Sequence, residues 1–446
     1  MCRFRGLPVN RFASGWRKYI LGSVLACSLL LGGSAASGMW SDALLQFIII
    51  AASASIAGST GEPIDGKVFV FCTAILAAVL IQIVPLPAIL IDLVRSETFS
   101  EGRAEAGVSF NLISLGVGRT VENFTYVSAL ILLMLALFRL SGEQVHALLP
   151  FLIAGIACQA LAGAIQYAGT ERVSIEGVLP YTITAGTFAN RNHFVSLLYV
   201  AIPFLVYVAT FRRMRLWSIL GLLVILLVLL AAGSRAGAAI GLAAIVLSIG
   251  FIGARSRFSV ASIGVIIAAS GIFGFGAWAQ FERRNSSIED DARWDFAQST
   301  MNGVWENWLF GVGYGNFSRA YQLFEDPASL GRAYANHAHN DYLQLAFEGG
   351  LLALTLVFAY VILVSIQVVR LRHNKFQKAA FLGIIFILLH STVDYPLRTA
   401  AVGAAFVYLN AILFHRSLQP RPDSDRRYVK IKHGKRRIAV AVEHAG

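Results

Sequence analysis

The sequence predicts an all-α polytopic membrane protein, with about twelve transmembrane helices and one large outer loop between the ninth and the tenth. Three observations carry that expectation. Hydrophobic residues make up 57% of the chain and charged residues only 14%, against roughly 25% charged in soluble domains. The apolar residues come in runs rather than in amphipathic stripes, and Leu220 to Ala232 and Ala238 to Ile252 carry no charge at all. Lys and Arg, once those runs are threaded through a bilayer, gather on one side.

Runs long enough to cross roughly 30 Å of hydrocarbon lie near 19–38, 43–58, 67–91, 124–140, 145–168 and 193–211, then near 216–233, 236–254, 258–279, 342–369, 379–394 and 399–415. Pro85 and Pro87 bend or end the third. Residues 19–37 have the basic flank and small terminal residues of a signal peptide, but they complete the topology as an uncleaved first helix. With the N-terminus inside, the Arg and Lys residues at 212–215, 255–257 and 370–378 fall on the cytoplasmic side with both termini. The basic residues then split about two to one in favour of that side. The chain accordingly divides into helices one to nine over 1–279, an outer loop domain over 280–341, helices ten to twelve over 342–415 and a basic cytoplasmic tail over 416–446.

The net charge of +12 does not indicate nucleic-acid binding. Nine basic residues crowd the tail from Arg416 to Arg437 and five precede Tyr19, where they orient the chain and meet anionic lipid. No aromatic-basic recognition module accompanies them. The tail itself reads as a disordered extension. Cys2, Cys27, Cys72 and Cys158 lie near the N-terminus or inside apolar runs, so they form neither a disulfide framework nor a metal-binding pair. In the outer loop, Asp290 through Trp308 reads as an amphipathic helix on the membrane surface, with Trp294, Trp305 and Trp308 beside charges.

Polar residues at the ends of apolar spans are costly and mark functional candidates. Four groups qualify, all on the outer side. Gly186 to His193 opens the sixth span, where Arg191 and free backbone N–H groups could receive an anion, or Asn190 and Asn192 could simply cap the helix. Gly233-Ser234-Arg235-Ala236-Gly237 joins two spans with almost no loop and keeps Arg235 at the surface. The outer loop carries Arg293 and Gly311-Val-Gly313, a pattern more typical of turns than of phosphate binding. It closes with His337, His339, Asn340 and Asp341 before Glu348. There, one histidine serves as a general base with Glu348 as its orienting partner, and a metal site is the less favoured alternative because no further histidine or cysteine lies in the loop. Finally, Asp394 and Arg398 lie four apart between the last two spans, either as an interfacial ion pair or in contact with substrate.

Taken in order, the Gly-Ser-Arg-Ala-Gly turn, Arg293, the Gly-x-Gly-x-x-x-Phe segment at 311–317, His339-Asn340-x-x-Leu343 and Glu348-x-Gly350 resemble the O-antigen ligase and Wzy-type polymerase superfamily. The resemblance covers about 180 to 410 and leaves both ends unmatched. It implies a helical fold like that of C-type glycosyltransferases, in a bacterial inner membrane with the outer loop periplasmic. It implies transfer of a glycan from a polyprenyl diphosphate carrier, with no cofactor and no metal, to a glycan or lipid A-core acceptor. Arg235 and Arg293 resemble the arginines that hold the diphosphate, Arg191 a less securely matched third, and His339 the histidine that activates the acceptor hydroxyl. His337, Asn340, Glu348, Asp394 and Arg398 are expected to support them. Polymerase and ligase share these needs; the segment from His390 to Pro396 resembles some polymerases and inclines the reading that way. A transporter or flippase would instead gather its polar residues at mid-membrane on broken, repeated helices.

A reporter fused at Ser287 is expected to be active only in its periplasm-dependent form. Activity confined to the cytoplasmic form would overturn the topology.

Overall fold

The computed structural model describes residues 15–34, 40–92, 110–168, 184–212, 214–253, 288–325, 335–371, 374–418, 427–433 and 436–442. Apolar helices dominate: α1 (Gly15–Leu31), α2 (Trp40–Ala57), α3 (Gly66–Leu80), the short α4 (Ala88–Asp92), α5 (Val117–Phe138), the short α6 (Gly142–His146) and α7 (Leu149–Ala168). They continue with α8 (Arg191–Phe211), α9 (Arg215–Ala232), α10 (Arg235–Ser248), α11 (Ile288–Glu306), the short α12 (Phe317–Ala320), α13 (Asp341–Arg370), α14 (Lys375–His390) and α15 (Ala400–Phe414). Seven described helical stretches are long and apolar enough to cross a membrane. Eleven of the expected spans coincide with apolar helices, while the ninth, 258–279, lies outside the described residues.

α8 is the central pillar, buried without interruption from His193 to Tyr207. It packs against α9, α10 and α14, and α15 is nearly as buried against α5, α14 and α1. A helix that is apolar all round must sit inside the bundle or face lipid, and these two sit inside. α3 and α13, by contrast, expose much of their apolar surface, as expected at a lipid-facing edge.

Local chemistry sets the helix ends. α3 passes into a 3-10 turn at Ile81–Ile83 and then a two-residue strand at Leu86–Pro87, so the chain stops being helical where the prolines stand. That strand pairs with Phe110–Asn111. Between α9 and α10, Gly233 adopts the left-handed conformation and Ser234 caps the next helix through Gly237 N–H.

The most consequential break lies inside α13. Gly350 has φ 59° and ψ −149°, which interrupts the helix more than two turns after its start at Asp341. Backbone groups opened in this way need partners, because lipid offers none. The segment 308–313 provides them: Val312 N–H donates to Phe347 O at 3.0 Å, Gly313 N–H to Glu348 O at 2.9 Å, and Leu351 N–H to Trp308 O at 2.8 Å. Gln82 at the end of α3 adds an amide donor to Glu348 O at 2.9 Å. The outer segment is therefore docked into the helix rather than laid over it.

One expectation changes. The tail after Arg416 is not wholly an irregular extension: Arg427–His433 pairs antiparallel with Arg436–Val442, Ile431 opposite Ile438. Alternating β-branched residues give that segment the period of a strand, which its charge concealed. The outer helix is present as α11, with Trp294 and Trp305 exposed.

Gly350→Ala is expected to destabilise the protein by at least about 1–3 kcal/mol, because that backbone region is nearly restricted to glycine. A Cβ there would also lie 2.5 Å from Leu309 O. Gly118→Ala, where a Cβ meets nothing within 4 Å, is the control. Melting curves in detergent compare the two, and equal melting temperatures would show that the break is not required.

Candidate functional site

The N-terminal ends of α8, α13 and α15 and the segments before them converge on a cavity of about 1700 Å³. Its walls run between α3, α5, α13 and α15, apolar along much of their length, and reach Asp65, Lys67, Arg370 and Arg416 at the other end. At the outer end it is lined by Arg119, Arg191, Asn192, His193, His337, His339, Asp341, Glu348, Tyr395 and Arg398. Four groups separated in sequence thus meet in one place.

His339 is the most unusual residue there. Its φ is +50°, the left-handed region that few non-glycine residues enter. The backbone is clamped on both sides. Ala338 N–H donates to Gln344 Oε1 at 3.2 Å, and Asn340 caps α13 by accepting from Tyr342 N and Leu343 N. Asn340 also donates to Thr392 O at 3.0 Å, which ties the cap to the connection after α14. The His339 side chain is 22% exposed, open to the cavity yet held.

The carboxylate beside His339 is Asp394, not Glu348. Asp394 Oδ1 lies 3.3 Å from His339 Nδ1 and 3.5 Å from His193 Nε2. Its other oxygen accepts from Asn192 Nδ2 at 2.6 Å. Burial alone would raise this carboxyl, but its interactions with His193 and His339 outweigh burial and hold it well below the usual carboxylate range. Asp394 is therefore anionic across neutral pH.

Glu348 instead pairs with Arg398, Oε2 to Nη2 at 2.9 Å, and Asp341 stands 3.7 Å from Arg398 Nε. Asp394 and Arg398, four residues apart, thus serve different partners rather than each other. Glu348 Oε1 accepts from Gln344 Nε2 at 3.0 Å, and Gln344 Nε2 also lies 3.1 Å from His337 Nδ1. Gln344 Oε1, which accepts Ala338 N–H at 3.2 Å, also lies 3.2 Å from His337 Nδ1, so the Gln344 amide holds that edge of the imidazole whichever nitrogen carries the proton. His337 also stacks on Tyr395 at 4.1 Å. Burial first, then the Arg398 charge, push its pKa down to about 3. It remains neutral at any physiological pH.

The other sequence candidates distribute unevenly. Arg191 begins α8 on the cavity wall. Arg235 begins α10, and its turn reaches the cluster through Ser234 Oγ, which donates to Asn192 Oδ1 at 2.7 Å. Arg293 lies in α11, one turn before Phe296, whose ring stacks 6.3 Å from His339; the Arg293 side chain lies outside the described residues. Gly311, Gly313 and Gly315 all have positive φ and form turns against the α13 break. Asn192, His193, Gln344 and Tyr395 were not singled out as site residues by the sequence. The available signal was that Asn192 and His193 are polar groups entering an otherwise apolar span.

Residues 220–358 match the family model described as O-antigen ligase. That match supports the O-antigen ligase and polymerase superfamily for this chain, with ligase- or polymerase-type function and lipid-linked glycan and acceptor partners in general. No curated protein matches the chain.

The His337 shift has a sign that can be tested. Its folded pKa is depressed, so the unfolded chain, with an ordinary value near ~6.5, binds more protons below that pH. Stability contributed by neutral His337 is thus full above about pH 6.5 and falls as pH drops towards about 3. His337→Phe keeps a ring on Tyr395 and cannot protonate. It is expected to lose less melting temperature than wild type between pH 7.5 and 5.5, and an equal loss would count against this account.

Proposed function

We propose that the protein is a membrane-embedded transferase that moves a glycan from a polyprenyl diphosphate carrier to a hydroxyl acceptor at the outer face, polymerising or ligating surface polysaccharide. His339 takes the proton of the acceptor hydroxyl as the acceptor oxygen attacks the anomeric carbon. The bond from that carbon to the carrier diphosphate breaks in the same displacement, so the centre inverts. Arg191, Arg235 and Arg293 meet the negative charge that grows on the departing diphosphate. No step in this scheme calls on a metal or a cofactor.

The observation that carries the reading is His339 on the wall of a large, partly apolar cavity, with an anionic carboxylate at its Nδ1. A carboxylate there favours the proton on Nδ1 and leaves Nε2 as the basic nitrogen. A histidine base contributes about 10²–10⁴-fold. A preorganised donor facing the leaving group contributes about 3–4 kcal/mol, and more in the transition state than before it. Arginine suits a diphosphate because its planar fork engages two oxygens and keeps its charge. The apolar length of the cavity favours a substrate with a lipid portion.

Purified His339→Ala is expected to bind carrier lipid while losing transfer by roughly 10²–10⁴-fold. His337→Ala is expected to lose much less. Arg235→Lys and Arg293→Lys are each expected to lower transfer at least about tenfold, since lysine cannot reproduce the bidentate fork. Full activity of both lysine variants, or wild-type transfer by His339→Ala, would overturn the assignment.

A further inference from the structure

Ser234, Asn192 and Asp394 form a line of hydrogen bonds ending beside His339, and each group in it has one workable assignment. Ser234 Oγ accepts Gly237 N–H at 3.1 Å as the cap of α10, and its own proton goes to Asn192 Oδ1 at 2.7 Å. That sets the amide, whose Nδ2 then donates to Asp394 Oδ2 at 2.6 Å. A flipped amide would press its oxygen against a carboxylate, two acceptors in contact. With Oδ2 engaged by the amide, Oδ1 accepts Tyr395 N–H at 3.0 Å and faces the imidazoles, 3.3 Å from His339 Nδ1 and 3.5 Å from His193 Nε2. The four groups come from four places: the α9–α10 turn, the first turn of α8, the connection before α15 and the segment before α13.

We propose that Asn192 is a positioning residue for transfer: it orients Asp394 so that His339 is held as the Nδ1–H tautomer, with Nε2 left to receive the acceptor's proton. The inference rests on His339 being the base. Asn192 acts through Asp394 and donates no group to the chemistry. An amide is the group the place requires, because it accepts on one side, donates on the other and adds no charge beside Asp394. An ionised aspartate of the same shape could not donate. The same amide also joins the base to the turn that begins with Ser234 and Arg235, so a displacement of that turn would be felt at His339.

The groups facing Asp394 are few. His193 comes from α8, His339 and His337 from the segment before α13, Asp341 from the start of α13, His390 from the end of α14, and Arg398 from the same connection. Of these, His193 and His339 are the ones within 3.5 Å of its carboxylate. Arg398 is engaged by Glu348 and Asp341, so the orientation of Asp394 rests on Asn192 Nδ2 at one oxygen, the closest donor there with Asn190 Nδ2 at 3.5 Å, and on Tyr395 N–H at the other, rather than on that cation.

The test uses the purified full-length protein, with kcat and KM for carrier-linked donor measured against pH. Imidazole ¹⁵N shifts report the His339 tautomer. Asn192→Asp, nearly isosteric, places two carboxylates within hydrogen-bonding reach, and one must hold a proton. Its kcat is expected to fall roughly ten- to a hundredfold, the scale of a lost hydrogen bond to a charged group. KM should stay within about twofold, and an extra ionisation above the usual carboxylate range should enter the rate profile. Asn192→Leu is expected to lose kcat similarly, without that ionisation and with a mixed His339 tautomer. If Asn192→Leu does not fold, Asn192→Asp decides alone. Wild-type kcat, pH profile and tautomer in the variants, with His339→Ala inactive, overturn the proposal and leave the function standing. A change in KM alone overturns it too, since positioning a base acts on kcat. If His339→Ala itself transfers normally, the functional reading fails, and Asn192 with it.

Discussion

The ion pair between the buried Glu348 and the mostly buried Arg398, 2.9 Å long, is the contact from which the histidine-bearing end of the cavity is organised. Removing one partner of such a pair typically costs about 3–5 kcal/mol, because the other charge is left uncompensated. Here the pair also fixes two segments at once. Glu348 stands on the last turn of α13 before the break at Gly350, and Arg398 ends the connection between α14 and α15. From Glu348 the hydrogen bonds run through Gln344 to His337. From Arg398 the chain runs back four residues to Asp394 and so to His339. The two imidazoles are held from opposite ends of one bolt.

That arrangement separates two histidines that sit two residues apart. His337 is hydrogen-bonded through Nδ1 to the Gln344 amide, stacks on Tyr395 and resists protonation. His339 faces a carboxylate through its own Nδ1 and remains partly open to the cavity. The same residue type thus meets an amide and a ring in one place and an anionic carboxylate in the other. The left-handed backbone at His339 is part of the device, since it lets side chains so near in sequence meet different partners. Such strain costs about 1–3 kcal/mol and persists where neighbours over-determine it. The Asn340 cap and the Ala338 amide bond do so here.

Much of the fold was legible because its determinants are local. Apolar length marks a span wherever it occurs, prolines at 85 and 87 end a helix by themselves, and Asn340 caps from its own position. The site's residue types were legible for the same reason, but its pairings were not. Glu348 was expected to orient His339 from nine residues away, whereas Asp394, 55 positions further along, faces it, and Asn192 supports Asp394 from 202 positions earlier. Spacing along a chain ranks neighbours within one helix; between helices, the packing of α8 against α14 decides. The break at Gly350 was hidden by its apolar surroundings, because hydropathy does not register a φ of 59°. The paired strands of the tail were hidden in the opposite way, by charges that mask an alternating pattern.

The charge balance at the outer end bears on how an anionic donor could enter. Asp341, Glu348 and Asp394 are all buried carboxylates, and the partly buried cation Arg398 stands between the first two. An unscreened cluster of that kind would repel a diphosphate strongly in a low-dielectric site. Each carboxylate is, however, turned inward onto a named donor: Ser391 and Arg398, Gln344 and Arg398, or Asn192 with the two imidazoles. Their fields are spent on holding the protein together, while Arg119 and Arg191 line the cavity wall. On the proposed reading, the acidic residues form the frame, the arginines face the donor, and the one base lies between them. This also explains why Asp394 must be oriented as well as paired. A carboxylate free to swing toward the cavity would present charge to the diphosphate and withdraw it from His339. The amide of Asn192 prevents both.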